Sequence, residues 1–360
     1  MEKRNNLYNK KCLGCGAYFS DNPSDFSYVK KISEKTNYCQ RCFRLKNYGI
    51  LDNSQYDESA IELNLKKIDF KDKNIILVAD LFNLFDSLLT EFKDNKNLLI
   101  VINKIEFLKK IKNINLIEQK VTQFLKKNGW FQDVIFYDTN TRFNIKKIND
   151  WIKTKKQKVY LAGKTNVGKS SLINALLIFN DKPPILSVSA LKNTTVNLRE
   201  IELNKFNSLI DTPGYDSNQN FLSFIDHKNK MNFKKVNWIN FNLKDNQQIF
   251  FIEKLATIEC SKIYEDANSS ISFLIMDQIN IHRTNIKNKA RIEAKANEIF
   301  KLAVFDNIEF QQTTFSNLEK DVKYNLFLNG IGIVSFKNLC EIKLNFPKGF
   351  EVNLFKDFLF

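Results

Sequence analysis

Four cysteines fall as two C-x-x-C pairs, Cys12 with Cys15 in "CLGC" and Cys39 with Cys42 in "CQRC". Each pair places two thiolates on a tight turn, and two such turns complete the tetrahedron that Zn²⁺ favours. A disulfide framework has the same parity, but a reducing cytosol works against it, so a zinc knuckle is expected. Cys260 and Cys340 have no comparable spacing and read as small core residues.

A second constellation is the loop "GKTNVGKSS". Gly163 to Ser170 matches G-x-x-x-x-G-K-[ST] between an apolar strand and a helical pattern, the context its mechanism needs. The backbone of Gly163, Lys164, Thr165, Asn166, Val167 and Gly168 would wrap phosphate oxygens, together with the helix start at Lys169, Ser170 and Ser171. Lys169 would reach the β and γ oxygens and Ser170 would ligate Mg²⁺. Some forty residues later "LIDTPGY" brings Asp211, Thr212, Pro213 and Gly214 to a strand end. There a carboxylate can hold the Mg²⁺ shell, and the Gly214 amide can sense a γ-phosphate. Between the two, "LKNTTVN" offers Thr194 or Thr195 as the residue that closes over the magnesium.

The third constellation is "NKIE" at the end of the apolar run "LLIVI", with Asn103, Lys104 and Glu106. N-K-x-D reads guanine: the carboxylate accepts from the base, and Asn and Lys brace the site. Here the acid is one methylene longer. An exposed loop after a strand is the bland alternative, and the strand-end position favours the base reader. The order is base reader, phosphate loop, switch, which is a circular permutation of the usual order. Such a change is tolerated when the old termini lie close together at the surface.

These residues need a scaffold. Apolar strands at 75–79, 98–102 and 134–137 alternate with helical stretches near 115–127 and from 170 to 179. That alternation predicts a parallel, doubly wound α/β sheet with ligands beyond its strand carboxyl ends. The boundaries expected are a zinc finger at 1–50, a nucleotide domain at 51–217 and a mixed α+β module at 218–360. In that last module, 281–300 reads as a helix with Lys287, Arg291 and Lys295 on one face, and "GIGIVSF" and "EIKLNFPKGFEVNLF" read as antiparallel strands.

The 360 residues carry a formal charge of +15 and 43% hydrophobic residues, a globular composition biased toward anionic partners. Part of that charge follows a general excess of Lys, Asn, Ile and Phe of the kind an AT-rich genome produces. Residues 1–50 hold ten basic residues against four acidic ones, with Arg41, Arg44 and Lys46 beside Phe43 and Tyr48 after the second knuckle. Phosphate contact with base stacking is the function this favours, with a solvated charged face as the alternative for each single residue. No leader pattern opens the chain and no apolar run approaches membrane-spanning length, so a cytoplasmic protein without membrane contact is expected.

The finger "CQRCFRLKNY", the order "NKIE", "GKTNVGKSS", "DTPG", and the later "IHRT", "GIGIVSF" and "FPKGFEV" together resemble the YqeH family of circularly permuted GTPases, over nearly the whole chain. The resemblance implies a circularly permuted P-loop GTPase that binds GTP or GDP with Mg²⁺ and Zn²⁺. It further implies assistance to small ribosomal subunit assembly through rRNA contacts, in a protein that is monomeric off the ribosome. It also implies slow intrinsic turnover, because Tyr215 stands where other GTPases carry a water-orienting Gln, and K⁺ as a further cation with Asn166 as its ligand. Glu106 departs from the family's Asp, and "YDTNT" (Asp138, Thr139, Asn140) stands where a base-supporting Ser-Ala segment is usual. A finger-based nucleic-acid regulator without turnover and an ATP-dependent enzyme with a relaxed base pocket are the rival readings.

Overall fold

The computed structural model describes residues 10–23, 25, 27–33, 35–48, 68–105, 114–155, 157–186, 198–215, 220–225, 235–244, 246–305, 308–350 and 352–358. The chain divides into two compact units, Met1–Glu106 with Gly129–Ser217, and Phe107–Asn128 with Asn218–Phe360.

In the first unit a six-stranded sheet contains β1 (Asn74–Asp80), β2 (Leu98–Asn103), β3 (Asp133–Phe136), β4 (Val159–Ala162), β5 (Arg199–Glu202) and β6 (Ser208–Asp211). Their spatial order is β3-β2-β1-β4-β6-β5, parallel except for the antiparallel β5–β6 edge pair. Every residue of β1 and β2 is buried. Their unbroken apolar runs are what a parallel strand covered on both faces requires. From β1 the chain winds outward through β2 to β3, then returns to β4 on β1's other side. The strand order therefore reverses between β1 and β4, and the crevice at their carboxyl ends is where such a sheet takes its ligands.

One face of this sheet is covered by α4 (Ile145–Thr154) and α5 (Lys169–Phe179). Ile148 and Ile152 of α4 and Leu172, Ile173 and Leu176 of α5 share a core with Ile76, Val78, Leu99 and Leu161. The short α2 (Leu84–Ser87) follows β1 after a single 3-10 turn, Leu81–Asn83. At the N-terminal end, α1 (Gln40–Tyr48) begins between Cys39 and Cys42, which pack with Cys12, Cys15, Phe19 and Val29 in a small core of their own.

The second unit holds two five-stranded antiparallel sheets. One has the order β16-β13-β14-β10-β7, from β16 (Leu354–Lys356), β13 (Lys323–Leu328), β14 (Gly332–Lys337), β10 (Ser269–Met276) and β7 (Val236–Leu243). The other runs β11-β8-β9-β15-β12, from β11 (Ile281–Asn285), β8 (Gln248–Ile252), β9 (Ala256–Ile263), β15 (Leu339–Pro347) and β12 (Phe310–Ser316). Phe250, Phe273, Phe336 and Phe346 fill the core of this unit, and Cys260 is fully buried among them. The amphipathic α3 (Ile114–Lys127) buries Ile117, Val121 and Leu125 at helical spacing and sets Phe124 against Phe355 and Phe358, with ring centroids 5.3 and 4.6 Å apart.

The helix expected over 281–300 is not continuous. Residues 281–285 form β11, paired with the buried strand β8. Asn285 then accepts from the Lys287 amide (3.0 Å) and starts a 3-10 turn. Two short helices follow, α6 (Lys289–Ala294) and α7 (Ala296–Ile299), broken at Lys295. Lys287, Arg291 and Lys295 thus lie on a turn, a helix and a break. Cross-strand pairing to β8 outweighs the local helical spacing of the basic residues. Arg283 is structural: its guanidinium donates to Gln248 Oε1 (3.0 Å) and Asn242 O (3.1 Å) over the Phe241 and Phe250 rings.

Candidate nucleotide site and cysteine cluster

The loop Gly163–Gly168 leaves β4 at the reversal point and ends at the first turn of α5. It needs its glycines. Gly163 has φ +148°, and a Cβ there would lie 2.5 Å from Val78 O on β1. Gly168 has φ +102°, and a Cβ there would lie 2.1 Å from Asn103 Nδ2. Asn166 also takes a left-handed φ of 63°. Short runs of backbone in alternating hand turn successive N–H groups inward and make a concave anion seat, continued here by the N-terminus of α5.

Lys169 is buried and donates to Gly163 O and Lys164 O, both at 2.9 Å. Burial lowers its pKa to about 8, and the nearby Asp211 carboxylate pulls in the opposite direction. Ser170 and Ser171 follow on the half-buried first turn of α5, and Val167 points into the core. Asp211 ends β6 and is fully buried. Thr212 donates through its hydroxyl to Leu161 O (2.8 Å), which ties the "DTPG" segment to β4. Gly214 lies so close to the phosphate loop that a Cβ would sit 2.8 Å from Thr165 Cγ2 and 3.1 Å from Lys169 Nζ. Thr165 N donates to Tyr215 O (2.9 Å) and Tyr215 N to Gly163 O (3.2 Å), so loop and switch segment are stitched backbone to backbone.

Asn103 closes the other side. Its Nδ2 donates to Val167 O (2.8 Å) and its Oδ1 accepts from Thr139 Oγ1 (3.0 Å). Asp138 builds the turn that presents Thr139, accepting from Asn140 N (2.8 Å), Thr141 N (3.1 Å) and Thr141 Oγ1 (2.7 Å). Lys104, at φ 66°, forms an ion pair with Asp80. The structure thus brings Asn103, Lys104, Gly163–Ser171 and Asp211–Gly214 together. Glu106, Thr194 and Thr195 lie outside the described residues.

Three acids that sequence reading passed over belong to this site, all from the stretch that follows β1. Asp80 holds Lys104 and caps the next turn by accepting from Phe82 N (2.9 Å). Asp86 lies 3.2 Å from Lys164 Nζ. Glu91 accepts from the Tyr215 hydroxyl (2.6 Å), and burial followed by that hydrogen bond pushes the Tyr215 pKa up. The signal available was an acid at the carboxyl end of an apolar strand, "ILVAD", beside a strand ending in "NK".

The cysteine cluster is compact. The sulfurs of Cys12, Cys15, Cys39 and Cys42 all lie within 4.8 Å of one another, and all four residues are buried. Cys12 Sγ accepts from Gly14 N (3.3 Å) and Cys39 N (3.1 Å), and Cys39 Sγ from Cys42 N (3.5 Å). Amide donors aimed at sulfur favour thiolate, and four converging thiolates fit a tetrahedral metal ion. Arg41, one of the basic residues of the finger, is only 4% exposed: burial lowers its pKa, and the Cys42, Cys15, Cys39 and Cys12 charges oppose that shift. Its neighbour Phe43 is 49% exposed, and Lys11 lies over the exposed Tyr18 ring at 4.9 Å. Among the described residues, Tyr38 Oη donates to Ile185 O (3.3 Å) and Arg199 donates to Leu13 O, which attach the cluster to the nucleotide fold.

Comparison with known proteins agrees with this geometry. Residues 79–220, from the last two residues of β1 to beyond the switch segment, match the RsgA GTPase family. The chain is 27% identical over 364 residues to the protein YqeH of Bacillus subtilis, an alignment covering 95% of this chain and 97% of that protein. It is 26% identical over 167 residues to the GTPase Era of Ureaplasma urealyticum, covering 45% of this chain and 52% of Era. With a phosphate loop, a switch segment and the Asn-Lys pair gathered at the reversal point of a parallel sheet, and with relatives of this kind, the chain is a GTPase that is similar to YqeH along nearly its whole length.

Proposed function

We propose that this GTPase is a GTP-controlled assembly factor of the small ribosomal subunit, a cytoplasmic monomer when off the ribosome, with a zinc finger and a C-terminal module that contact rRNA. The observation that carries the reading is the stitching of the switch segment to the phosphate loop through Tyr215, immediately before the chain leaves the nucleotide unit after Ser217. A segment that responds to nucleotide and then enters a separate unit can transmit the state of the site. The chain also leaves that unit after Glu106, directly beyond the base reader. The basic finger, with Tyr18 and Phe43 exposed, supplies charge and stacking surface for RNA. Cys12, Cys15, Cys39 and Cys42 hold the zinc.

In turnover, bound GTP and Mg²⁺ supply the scissile γ-phosphate and its metal shell. Lys169 exchanges its two carbonyl partners for phosphate oxygens. Ser170 and Asp211 would hold Mg²⁺, and Thr194 or Thr195 would be the residue that closes over it. Gly214 would offer its amide to the γ-phosphate, and Asn166 would be the ligand for K⁺. Asn103, Lys104 and Glu106 take the base. Tyr215 cannot act as a water-orienting glutamine does, because its hydroxyl is committed to Glu91, so unassisted hydrolysis is slow, on the scale of about 10⁻⁴ s⁻¹ known for GTPases without their activators.

Sedimentation of the protein with purified small and large subunits in GTP, GDP and no nucleotide tests this. Co-sedimentation with the small subunit in one nucleotide state, with GTPase activity stimulated by that subunit, is expected. Equal binding in all three states with no stimulation sinks the reading.

A further inference from the structure

Tyr215 is held at three points, all within the first unit. Its amide donates to Gly163 O (3.2 Å) and its carbonyl accepts from Thr165 N (2.9 Å), contacts that do not depend on the side chain. The third contact does: the phenol hydroxyl donates to Glu91 Oε1 (2.6 Å). Glu91 sits on the 3-10 turn Thr90–Phe92, whose last residue is only 1% exposed. Phe92 meets the Tyr215 ring edge-on, with centroids 6.1 Å apart, and the Phe70 ring at 5.0 Å. Phe70 in turn meets Tyr160 of β4 at 6.0 Å, so the carboxylate is anchored to the strand that leads into the phosphate loop. Asp80 and Asp86 of the same stretch pair with Lys104 at the end of β2 and with Lys164 of the phosphate loop. Glu91 grips the switch segment.

Gly214, one residue earlier, lies against the loop: a β-carbon there would be 2.8 Å from Thr165 Cγ2 and 3.1 Å from Lys169 Nζ. A γ-phosphate held between Lys169 and the Gly214 amide therefore needs the two to part, and Gly214 carries Tyr215 with it. GDP, without that phosphate, makes no such demand. We infer that Glu91 is a specificity-determining positioning residue: through the Tyr215 hydroxyl it holds the switch segment on the phosphate loop and lowers the affinity for GTP relative to GDP. A ligand moves a two-state segment only by its differential affinity for the two positions, so a contact made in one position alone sets that difference. The bond from hydroxyl to carboxylate is charge-assisted, but Glu91 is exposed and water shields part of its strength. The inference rests on the role toward the γ-phosphate proposed above for Gly214.

The test titrates full-length protein with a fluorescent GDP analogue and with a fluorescent non-hydrolysable GTP analogue, both with Mg²⁺, and reads the ratio of the two affinities. Tyr215→Phe keeps the ring against Phe92 and removes only the hydroxyl, and Glu91→Ala removes the acceptor. Each is expected to move the ratio toward GTP by about three- to tenfold, the contribution of a partly shielded hydrogen bond to a carboxylate, with GDP affinity within about twofold of wild type. Glu91→Gln keeps an accepting oxygen and should stay within about twofold of the wild-type ratio. The double variant Tyr215→Phe/Glu91→Ala should match either single one, since both remove the same bond. An unmoved ratio in Tyr215→Phe, additive shifts in the double variant, a Glu91→Gln ratio equal to that of Glu91→Ala, or equal loss for both nucleotides overturns the inference. Hydrogen exchange over residues 208–217 of the wild type, compared between the two nucleotides, tests the assignment beneath it. Equal protection there overturns the role of Gly214 and the inference with it, whereas unequal protection with an unmoved ratio overturns the inference alone.

Discussion

Asn103 and Gly168 meet so closely that a β-carbon on Gly168 would lie 2.1 Å from the Asn103 amide nitrogen. The end of β2 therefore fixes the phosphate loop by direct contact, strengthened by the Asn103 Nδ2 donation to Val167 O. Gly168→Ala must relieve both that overlap and a φ of +102°, which L side chains rarely adopt. Strain of this kind costs about 1–3 kcal/mol. Expected outcomes are a lower melting temperature of the nucleotide-free protein and at least about tenfold weaker GDP binding, since 1.4 kcal/mol is a factor of ten. Calorimetric unfolding and a GDP titration check both, and wild-type values in both would show that the loop tolerates the β-carbon.

The Asp80–Lys104 pair ties β1 to β2 at their carboxyl ends. The side chains are 7% and 22% exposed, so solvent screens the pair only in part. A double-mutant cycle with Asp80→Asn and Lys104→Met, read by chemical denaturation, should give a coupling of about 0.5–3 kcal/mol, the range for residues in direct contact. Additivity within error would mean the pair contributes nothing to stability.

Lys169 makes stability depend on pH with a definite sign. Its pKa falls from 10.5 to about 8 in the folded, nucleotide-free protein. Between those values the unfolded chain holds the proton and the folded chain has released it, so stability rises as pH climbs from about 8 toward 10.5. Below about 8 both states are protonated and the buried charge costs on the order of 3 kcal/mol. Lys169→Met should therefore be more stable than wild type at pH 7, lose that advantage by pH 10.5, and bind GTP far more weakly. Urea denaturation across the range is the check, and parallel curves for the two proteins would remove the assignment of the buried charge.

The parallel sheet was legible because its strands are unbroken apolar runs. β1 and β2 fall within a residue of the expected 75–79 and 98–102, since full burial on both faces leaves little choice of residue. The phosphate loop was legible because Gly163 and Gly168 answer to contacts that exclude a β-carbon. Asp80, Asp86, Glu91 and Arg199 were not, because each acts on a partner at long sequence separation, and a lone acid or arginine has no local pattern. β11 was misread as helix for the same reason: pairing with β8, some thirty residues earlier, decides its conformation.

Glu106 carries the remaining question of base choice. Asn103 and Lys104 are braced by Thr139, Val167 and Asp80. A carboxylate offers two acceptors to the two donors of guanine, whereas adenine presents an unprotonated ring nitrogen that would face the anion without a hydrogen bond. Leaving such a group unpaired costs about 1–3 kcal/mol, and more when it is charged. That cost sets the preference even with one extra methylene in the reader. Glu106→Asp is therefore expected to keep or tighten GTP binding. Glu106→Ala should weaken GTP about tenfold or more while leaving ATP nearly unchanged, since 1.4 kcal/mol is a factor of ten. Lys169→Ala should weaken both, because phosphate contact is blind to the base. Fluorescent GTP and ATP analogues titrated against the three variants separate these outcomes, and a GTP-to-ATP ratio unmoved by Glu106→Ala would make residues 103–106 a brace for the phosphate loop rather than a reader of guanine.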